Sequence, residues 1–398
     1  MKKISDIASR LTGQPMFKML AQAQKMEREG KRILHFEIGD TSFSSPLSAI
    51  EATKNALEKG ITKYANSMGM VEFREAIADY TYKNLGFKPA INQILVSPAN
   101  AVIDFAIRCV ADPHEEIIYP DPGFATYISA IKYNGMTPVN IQLREENGFR
   151  MKSEDVKEKI TDQTRLIIIN SPGNPTGTVM DKKEINEIAK LAKKNDLYLL
   201  TDEIYSKVMF DKDHYSPSII DECKERTILL NSFSKCHGMS GWRLGYVIGP
   251  EEIIERMGLL LETIYSCIPP FIQIGGKAVL LEGDQHLPHR IAVLKERRDL
   301  IHERLNNING ISCPLPDGAF YAFPNISQTG LSASEYCNNL LHIKGVCTLP
   351  GDCFGDYGSG YIRICFGSTS LEEIEEGLNK IEEFHQELGS KKLLKQIS

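Results

Sequence analysis

The sequence predicts an α/β protein built on a largely parallel β-sheet flanked by helices. From about residue 90, short apolar runs alternate with amphipathic segments that are long enough to form helices. Several of these runs lack the polar–apolar alternation of a half-exposed strand, so we expect them to be buried on both faces. Strands that alternate with helices in this way are typical of βαβ units, whose strands are parallel.

Six apolar runs are the predicted strands of the sheet: Gln93–Ser97, Glu116–Pro120, Arg165–Asn170, Leu197–Asp202, Thr227–Asn231 and Leu244–Ile248. Two amphipathic segments between them, Ala101–Val110 and Asp181–Asn195, are predicted helices. A longer helical region is predicted over Glu251–Leu281, and Pro269–Pro270 is the place in it where a break is expected.

The regular alternation of apolar runs and amphipathic segments ends near Gly310. Two strand-like runs, Gly318–Phe323 and Tyr361–Phe366, enclose a predicted helix near Ser334–Ile343. A last helix is predicted after Ser370, which precedes Glu373 by three residues and so has the form of a capping box. Because single cores stop growing at roughly 250–300 residues, a chain of 398 residues is expected to carry a second, smaller α+β domain in this late part.

Composition excludes several kinds of partner. The net charge of −6 gives no general attraction to nucleic acid or to anionic membranes. No apolar run approaches the roughly 18 residues of a membrane span, and the basic start of the chain is not followed by the apolar stretch of a signal peptide. The nine cysteines are dispersed without zinc-ligand spacing, so we expect no metal site and a cytoplasmic protein with reduced thiols.

The most informative segment runs SFSKCHGMSGWRLGY from Ser232 to Tyr246, directly after a predicted strand. Its small residues allow backbone amides to approach an anion, and Ser232, Ser234 and Arg243 are candidates to donate hydrogen bonds to a phosphate. A partly desolvated lysine beside a fixed cation has a lowered pKa, which suits Lys235 to Schiff-base chemistry. The alternative is a polar turn with an ordinary surface lysine.

Two further segments also follow predicted strands. NSPGNPTG, with Asn174 in the middle, is a turn at the edge of the sheet where ligands bind in open α/β folds. DEIY begins at Asp202, whose carboxylate could hold a pyridine nitrogen protonated so that the ring withdraws electrons. Taken singly, the first could be a plain loop and the second a helix cap.

These three segments, in this order, resemble the class I/II aminotransferases, which are pyridoxal phosphate (PLP) enzymes of fold type I. The resemblance extends from about Gly39 to the last helix. It implies that PLP is the cofactor, that Lys235 holds it as a Schiff base and then shuttles protons, and that Asp202 pairs with the pyridine nitrogen. It also implies a PLP-binding large domain over residues 48–285 and a small domain made of residues 1–47 and 286–398.

The resemblance assigns further cofactor contacts. Tyr205 and Asn174 are expected to donate hydrogen bonds to the ring hydroxyl oxygen, and Tyr205 is thereby counted among the catalytic residues. Ser232 and Arg243 are expected to bind the phosphate. The family's NPTG loop also implies a cis peptide bond between Asn174 and Pro175.

Shorter matches extend the site. Asn100 and Ala101 are implied to offer backbone amides to the phosphate at a helix N-terminus, although Ala99 stands where the family usually has glycine. Phe124 matches the aromatic residue that stacks on the ring, with Tyr127 as its rival.

Three more matches concern the partner subunit and the substrate. Tyr64 resembles the tyrosine that reaches the phosphate bound by the neighbouring subunit, which implies a homodimer with shared active sites. Gly39 and Arg363 match the contacts to the substrate carboxylate, which an arginine can hold bidentately; Asn174 is assigned to the same carboxylate.

The implied reaction is ping-pong transamination between an L-amino acid and a 2-oxo acid. A PLP-dependent carbon–sulfur β-lyase or a related synthase would use the same residues and is the alternative within the fold. A non-enzymatic regulator of this fold would need a DNA-binding segment that we do not find ahead of Gly39. The amino donor stays open, and the residues near Pro15-Met16-Phe17 are expected to close over the site and to influence the choice.

Overall fold

The structure is a computed structural model that describes residues 3–11, 13 and 15–389. Its helices are α1 (Asp6–Ser9), α2 (Pro15–Arg28), α3 (Leu47–Glu58), α4 (Val71–Leu85), α5 (Ala99–Val110), α6 (Thr126–Tyr133), α7 (Ser153–Lys159), α8 (Lys182–Lys194), α9 (Ser218–Asp221), α10 (Glu251–Tyr265), α11 (Pro270–Glu282), α12 (Leu287–Asn306), α13 (Ala333–Asn339) and α14 (Leu371–Gly389). Its strands are β1 (Leu34–His35), β2 (Ile94–Val96), β3 (Glu116–Asp121), β4 (Thr137–Gln142), β5 (Thr164–Asn170), β6 (Tyr198–Asp202), β7 (Thr227–Ser232), β8 (Gly245–Ile248), β9 (Tyr321–Ala322), β10 (Val346–Cys347), β11 (Leu349–Pro350) and β12 (Ile362–Cys365).

Seven strands form the central sheet in the order β2-β8-β7-β6-β5-β3-β4. The five strands from β7 to β4 are paired in parallel, and β8 runs antiparallel to both of its neighbours. The α/β class with a largely parallel sheet flanked by helices is therefore confirmed. The parallel strands all present their carboxyl ends at one edge, which is where ligands bind in such sheets.

Strand β5 shows why the apolar runs lack alternation. Leu166 and Ile168 pack into the core formed with α5 and α10 on one face of the sheet, whereas Ile167 and Ile169 pack into the core that includes α8 on the other face. All four side chains are fully buried. A strand covered by helices on both sides needs apolar residues at every position.

The six predicted strands are confirmed, each within two residues of the observed bounds. The long helical region is divided into α10 and α11, and Pro270 is the first residue of α11, as the break at Pro269–Pro270 required. Ser370 caps α14 as predicted, because its hydroxyl accepts from the Glu373 amide at 3.2 Å and its own amide donates to the Glu373 carboxylate at 3.0 Å.

Other elements differ from the prediction. The run Gly318–Phe323 forms only the two-residue strand β9, and sequence patterning did not indicate β4 or the 20-residue helix α12. Strand β4 lies at the edge of the sheet and is mostly part-exposed, so its sequence has no continuous apolar run.

An early and a late segment of the chain pair with each other outside the central sheet. Strand β1 pairs in parallel with β10, with Leu34 opposite Val346, and β11, β12 and β9 form a separate antiparallel sheet. The division into domains at residues 48 and 285 stays a prediction.

No helix in the described part of the chain is long and apolar enough to cross a membrane. Among the same residues, no group of three or more His, Cys, Asp or Glu side chains is placed to hold a metal ion.

Candidate active site

A cavity of about 410 Å³ lies at the carboxyl edge of the central sheet. The loops that follow β5, β6 and β7 bring Asn174, Tyr205 and Lys235 to its wall. These three residues are far apart in sequence but follow adjacent parallel strands. The fold therefore places the three motifs of the sequence in a single site. The other lining residues are Met16, Phe17, Ile38, Gly39, Asp40, Ala99, Asn100, Phe124, Ile204, Ser232, Ser234, Arg243 and Tyr321.

Lys235 is partly buried in this cavity, and its Nζ donates a hydrogen bond to the Gly39 carbonyl at 2.6 Å. Burial lowers the pKa of its amine, and the positive charges of Arg363 and Arg243 act in the same direction, while the negative charge of Asp40 opposes them. A lowered pKa increases the neutral fraction of the amine, which is the form that acts as nucleophile and base.

Asp202 ends β6 and is 2 % exposed. Its Oδ2 accepts from the Tyr127 hydroxyl at 2.7 Å, and its Oδ1 accepts from the Ile204 amide at 3.3 Å. Burial raises the pKa of Asp202 to about 6, although these two hydrogen bonds favour the ionised form. The result is a carboxylate in a fixed orientation whose charge is only weakly solvated, and which therefore favours a nearby cation.

Tyr205 and Arg363 are joined through Tyr321. The hydroxyls of Tyr205 and Tyr321 are 2.6 Å apart, and the Arg363 guanidinium lies over the Tyr321 ring at 4.6 Å. Arg363 is fully buried behind the cavity wall and donates from Nη1 to the Asn174 Oδ1 at 3.0 Å. Its Nε is buried with no protein partner in the described part of the chain. A buried guanidinium with unused hydrogen-bonding capacity beside Asn174 is suited to a carboxylate.

A second group of residues around the cavity is also suited to an anion. Ser232 donates from its hydroxyl to the Ser234 hydroxyl oxygen at 2.9 Å. Arg243 is exposed and uses Nη1 to bind the Ser240 carbonyl at 2.7 Å, which leaves further guanidinium N–H groups for a ligand. The N-terminus of α5 contributes Asn100, where amide groups and the helix dipole favour negative charge.

Not every residue chosen from the sequence lies at the cavity. Ala101 does not line it, whereas Ala99 and Asn100 do. The Ala101 amide donates to the Pro98 carbonyl at 3.0 Å, so it is not free for a phosphate. Phe124 lines the cavity, whereas Tyr127 lies behind it, in edge contact with Phe124 at 5.8 Å. Tyr64 is 88 % exposed and away from the cavity of its own chain.

Two predictions about loops can be compared with the structure. The Asn174–Pro175 bond is cis, as the NPTG motif implied, and the Asp121–Pro122 and Ser171–Pro172 bonds are also cis. Met16 and Phe17, in the first turn of α2, line the cavity. The position agrees with the prediction that this segment reaches the site, and its influence on the amino donor stays a prediction.

Sequence reasoning missed Tyr321 and Asp40. Tyr321 lies in a run of aromatic and small residues with no motif of its own, and only its contacts with Tyr205 and Arg363 reveal it. A side chain added at Gly39 would meet the Tyr321 hydroxyl at 2.3 Å. The glycine at position 39 therefore gives room to the tyrosine as well as a carbonyl to Lys235.

Comparison with known proteins shows the family of this chain. The family model for aminotransferase class I and II matches residues 31–381. The aspartate aminotransferase of Pyrococcus horikoshii is 37% identical over 367 residues, which cover 92% of this chain and 92% of that protein. Aromatic-amino-acid aminotransferase 2 of Thermococcus litoralis is 35% identical over 360 residues, 89% of this chain and 92% of that protein. The structure of an aspartate aminotransferase from Thermus thermophilus with maleate superposes with a TM-score of 0.92 at 28% identity, covering 96% and 100% of the two chains.

The fold and the site define a PLP-dependent enzyme that moves amino groups. The chain belongs to the class I and II aminotransferases, and it is a transaminase whose substrates are amino acids and 2-oxo acids. Pyridoxal phosphate is its cofactor, as in the rest of the family.

The residues present fit that cofactor. A buried carboxylate, Asp202, is available for a protonated ring nitrogen, a lysine amine of lowered pKa for the aldehyde, and Ser232, Arg243 and the start of α5 for the phosphate. The half-exposed Phe124 ring is available to cover one face of the pyridine.

The hydrogen bond from Tyr127 gives a pH-dependent prediction. Only the ionised Asp202 pairs with a pyridinium, so the affinity for PLP is expected to be full well above pH 6 and to fall as the pH drops through the pKa of about 6. Tyr127→Phe removes a bond that stabilises the carboxylate, so the fall should begin at a higher pH. PLP titrations by absorbance between pH 5 and 8 measure this.

The matched control is Tyr133→Phe. Tyr133 is at the other end of the helix that carries Tyr127, and its hydroxyl donates to Asp104 of α5. The substitution should leave the pH profile in place. A Tyr127→Phe profile that coincides with that of the unaltered protein would show that the bond does not act on Asp202.

Proposed function

We propose that the enzyme works by a ping-pong mechanism in which an amino acid donates its amino group and leaves before a 2-oxo acid enters. The observation that carries this proposal is the meeting of Lys235, Asn174 and Tyr205 in one cavity, with Asp202 and Arg363 buried directly behind it. When bound, PLP supplies the electron-withdrawing ring that accepts the electron pair of the broken C–H bond.

Lys235 has the central part. Its Nζ would hold the cofactor until the amino group of the substrate takes its place. The freed Nζ would then accept the α-proton and later give it back. Burial lowers the pKa of this amine, which increases the neutral fraction that can act as a base. The Gly39 carbonyl, 2.6 Å from Nζ, holds the amine at the wall of the cavity.

Asp202 and Tyr205 would hold the ring of the cofactor. Asp202 would keep the ring nitrogen protonated, and its two hydrogen bonds fix the direction of the carboxylate. Tyr205 would donate to the ring hydroxyl oxygen, and the Tyr321 hydroxyl lies 2.6 Å from the Tyr205 hydroxyl. Asn174 would share that oxygen, and Ser232, Arg243 and Asn100 are assigned to the phosphate end.

We assign the α-carboxylate of the substrate to Arg363 and Asn174, together with Gly39. We expect Arg363→Lys to raise KM for the amino donor about tenfold or more, since an ammonium group does not reproduce the bidentate contact. The measurement is kcat and KM for each half of the reaction. Arg297→Lys is the matched control, because Arg297 is also buried but binds the Phe366 and Gly367 carbonyls; equal effects of the two substitutions on KM would contradict the assignment.

We further propose a homodimer in which Tyr64 reaches the phosphate in the other subunit. Tyr64 is 88 % exposed, and the residues after it are tied to α10 and the following loop through the Ala65 amide to Cys267 Sγ and the Ser67 hydroxyl to Glu262. Ile264 and Tyr265, at the end of α10, are 57 % and 53 % exposed. Exposed apolar residues grouped in this way are typical of a contact surface.

A cytoplasmic location is proposed from the cysteines. All nine are unpaired, and seven of them are buried as small apolar side chains, as is usual in a reducing compartment.

The half-reaction tests the proposed chemistry. With PLP enzyme and an amino acid alone, ping-pong transamination should yield about one 2-oxo acid per active site, together with a stable change in the visible spectrum, and adding a 2-oxo acid should reverse the change. Continued release of 2-oxo acid and ammonia without an acceptor would identify a lyase and overturn the proposal.

A further inference from the structure

Four residues that line the cavity have no part in the cofactor contacts proposed above. They are Met16, Phe17 and Ile38, which we call the apolar wall, and Asp40. Met16 and Phe17 come from α2, whereas Ile38 and Asp40 flank Gly39 in the chain. Since the Gly39 carbonyl holds the Lys235 amine, Ile38 and Asp40 lie close to the atom that the substrate amino group replaces.

The apolar wall is suited to a large apolar side chain. The Phe17 side chain is 58 % exposed although it lines the cavity, and Met16 packs against the main core. A substrate ring placed here would remove apolar surface of Phe17 from water and would contact a thioether and an aromatic ring, both of which favour aromatic partners.

Asp40 gives the same wall a negative group in a fixed place. Its Oδ2 accepts from the Ser240 hydroxyl at 2.6 Å, and its Oδ1 accepts from the Thr41 amide at 2.9 Å. Its charge acts on the Lys235 amine, whose pKa it raises against the stronger effect of burial. A carboxylate held near the reacting amine repels a second carboxylate on the substrate side chain.

The basic side chains that line the cavity already have a part in the proposed mechanism. In the described part of the chain they are Lys235 and Arg243, which hold the cofactor in that mechanism. Arg363, behind the wall, is assigned to the α-carboxylate. A dicarboxylate donor would therefore bring a second negative charge towards Asp40 without a further basic partner among the described residues that line the cavity.

We propose that Phe17 and Asp40 determine the amino-donor specificity, so that the enzyme takes amino acids with an aromatic side chain in preference to dicarboxylic ones. This inference rests on the proposed function, because it uses the assignment of Arg363 to the α-carboxylate. The two relatives described above, one an aspartate and the other an aromatic aminotransferase, show that family membership leaves this choice open.

The test is the half-reaction of the PLP-loaded enzyme with L-phenylalanine, L-aspartate and L-alanine, followed by absorbance. Alanine serves as the reference donor because its methyl group is too small to span the wall. The unaltered enzyme should show kcat/KM for phenylalanine about tenfold or more above that for aspartate. Phe17→Ala should lower the phenylalanine-to-alanine ratio about tenfold, and Asp40→Asn should raise the aspartate-to-alanine ratio by a similar factor.

Leu47→Ala, which alters an exposed apolar residue outside the cavity, should leave all three ratios in place. A preference for aspartate, or an Asp40→Asn enzyme with the original aspartate-to-alanine ratio, would overturn the specificity inference while transamination itself still stands. Absence of conversion with all three donors would instead overturn the proposed function, and the inference with it.

Discussion

Replacing Lys235 by alanine is expected to lower the rate of the half-reaction by about 10⁴-fold or more, at the upper end of what general acid–base catalysis contributes. The variant loses both the amine that holds the cofactor and the base that moves the α-proton. PLP should still bind through its phosphate and ring contacts but should be removed by gel filtration or dialysis more easily than from the unaltered protein. Single-turnover absorbance and the retention of PLP measure the two losses separately.

Two controls accompany Lys235→Ala. Lys207→Ala removes another partly buried lysine, one that pairs with Asp284 at 3.1 Å outside the cavity, and it should leave the half-reaction rate within about twofold of the original. A small primary amine in solution should restore part of the rate to the Lys235→Ala enzyme, since it can act as a base in the vacated space. A Lys235→Ala enzyme with the original rate would remove the basis of the mechanism.

Asp202→Asn has the second-largest expected effect. Breaking a buried ion pair costs about 3–5 kcal/mol, which corresponds to a factor of about 10²–10⁴ in rate when the pair is needed in the transition state. An amide cannot keep the ring nitrogen protonated. The fold should persist, because the Tyr127 hydroxyl can rotate to accept from the new amide. The measurement is the half-reaction rate at saturating donor, with thermal unfolding followed in parallel.

Asp121→Asn is the matched control for this experiment. Asp121 is as deeply buried and also ends a strand of the sheet, but its carboxylate accepts from Asn140 and from the Asp356 and Tyr357 amides. Its substitution should lower the unfolding temperature while the rate per folded molecule is kept. If Asp202→Asn instead lost stability with an unchanged rate, Asp202 would be a structural residue.

The local sequence predicted the strands that are covered by other elements on both faces of the sheet. The β5 run was recognisable because every residue from Leu166 to Ile169 faces one of two cores. The edge strand β4 was not predicted, because a partly exposed strand tolerates polar residues and a proline and so has no continuous apolar run. Tyr321 was not predicted for another reason. Its place in the site depends on Tyr205 and Arg363, which are remote in the chain.

The sequence by itself determined the fold class, the family and the identity of the cofactor, because the motifs around Lys235, Asn174 and Asp202 follow strands and combine residue types that this chemistry needs. Only the tertiary structure decided which aromatic residue faces the cavity. Phe124 lines it, while Tyr127 is buried and donates a hydrogen bond to Asp202. The two residues are three apart in the same segment, so the local sequence does not distinguish them. The tertiary structure also brought Met16, Phe17 and Asp40 beside Lys235. Contacts of this kind join segments that pack together only when the whole core has formed, so no local pattern records them.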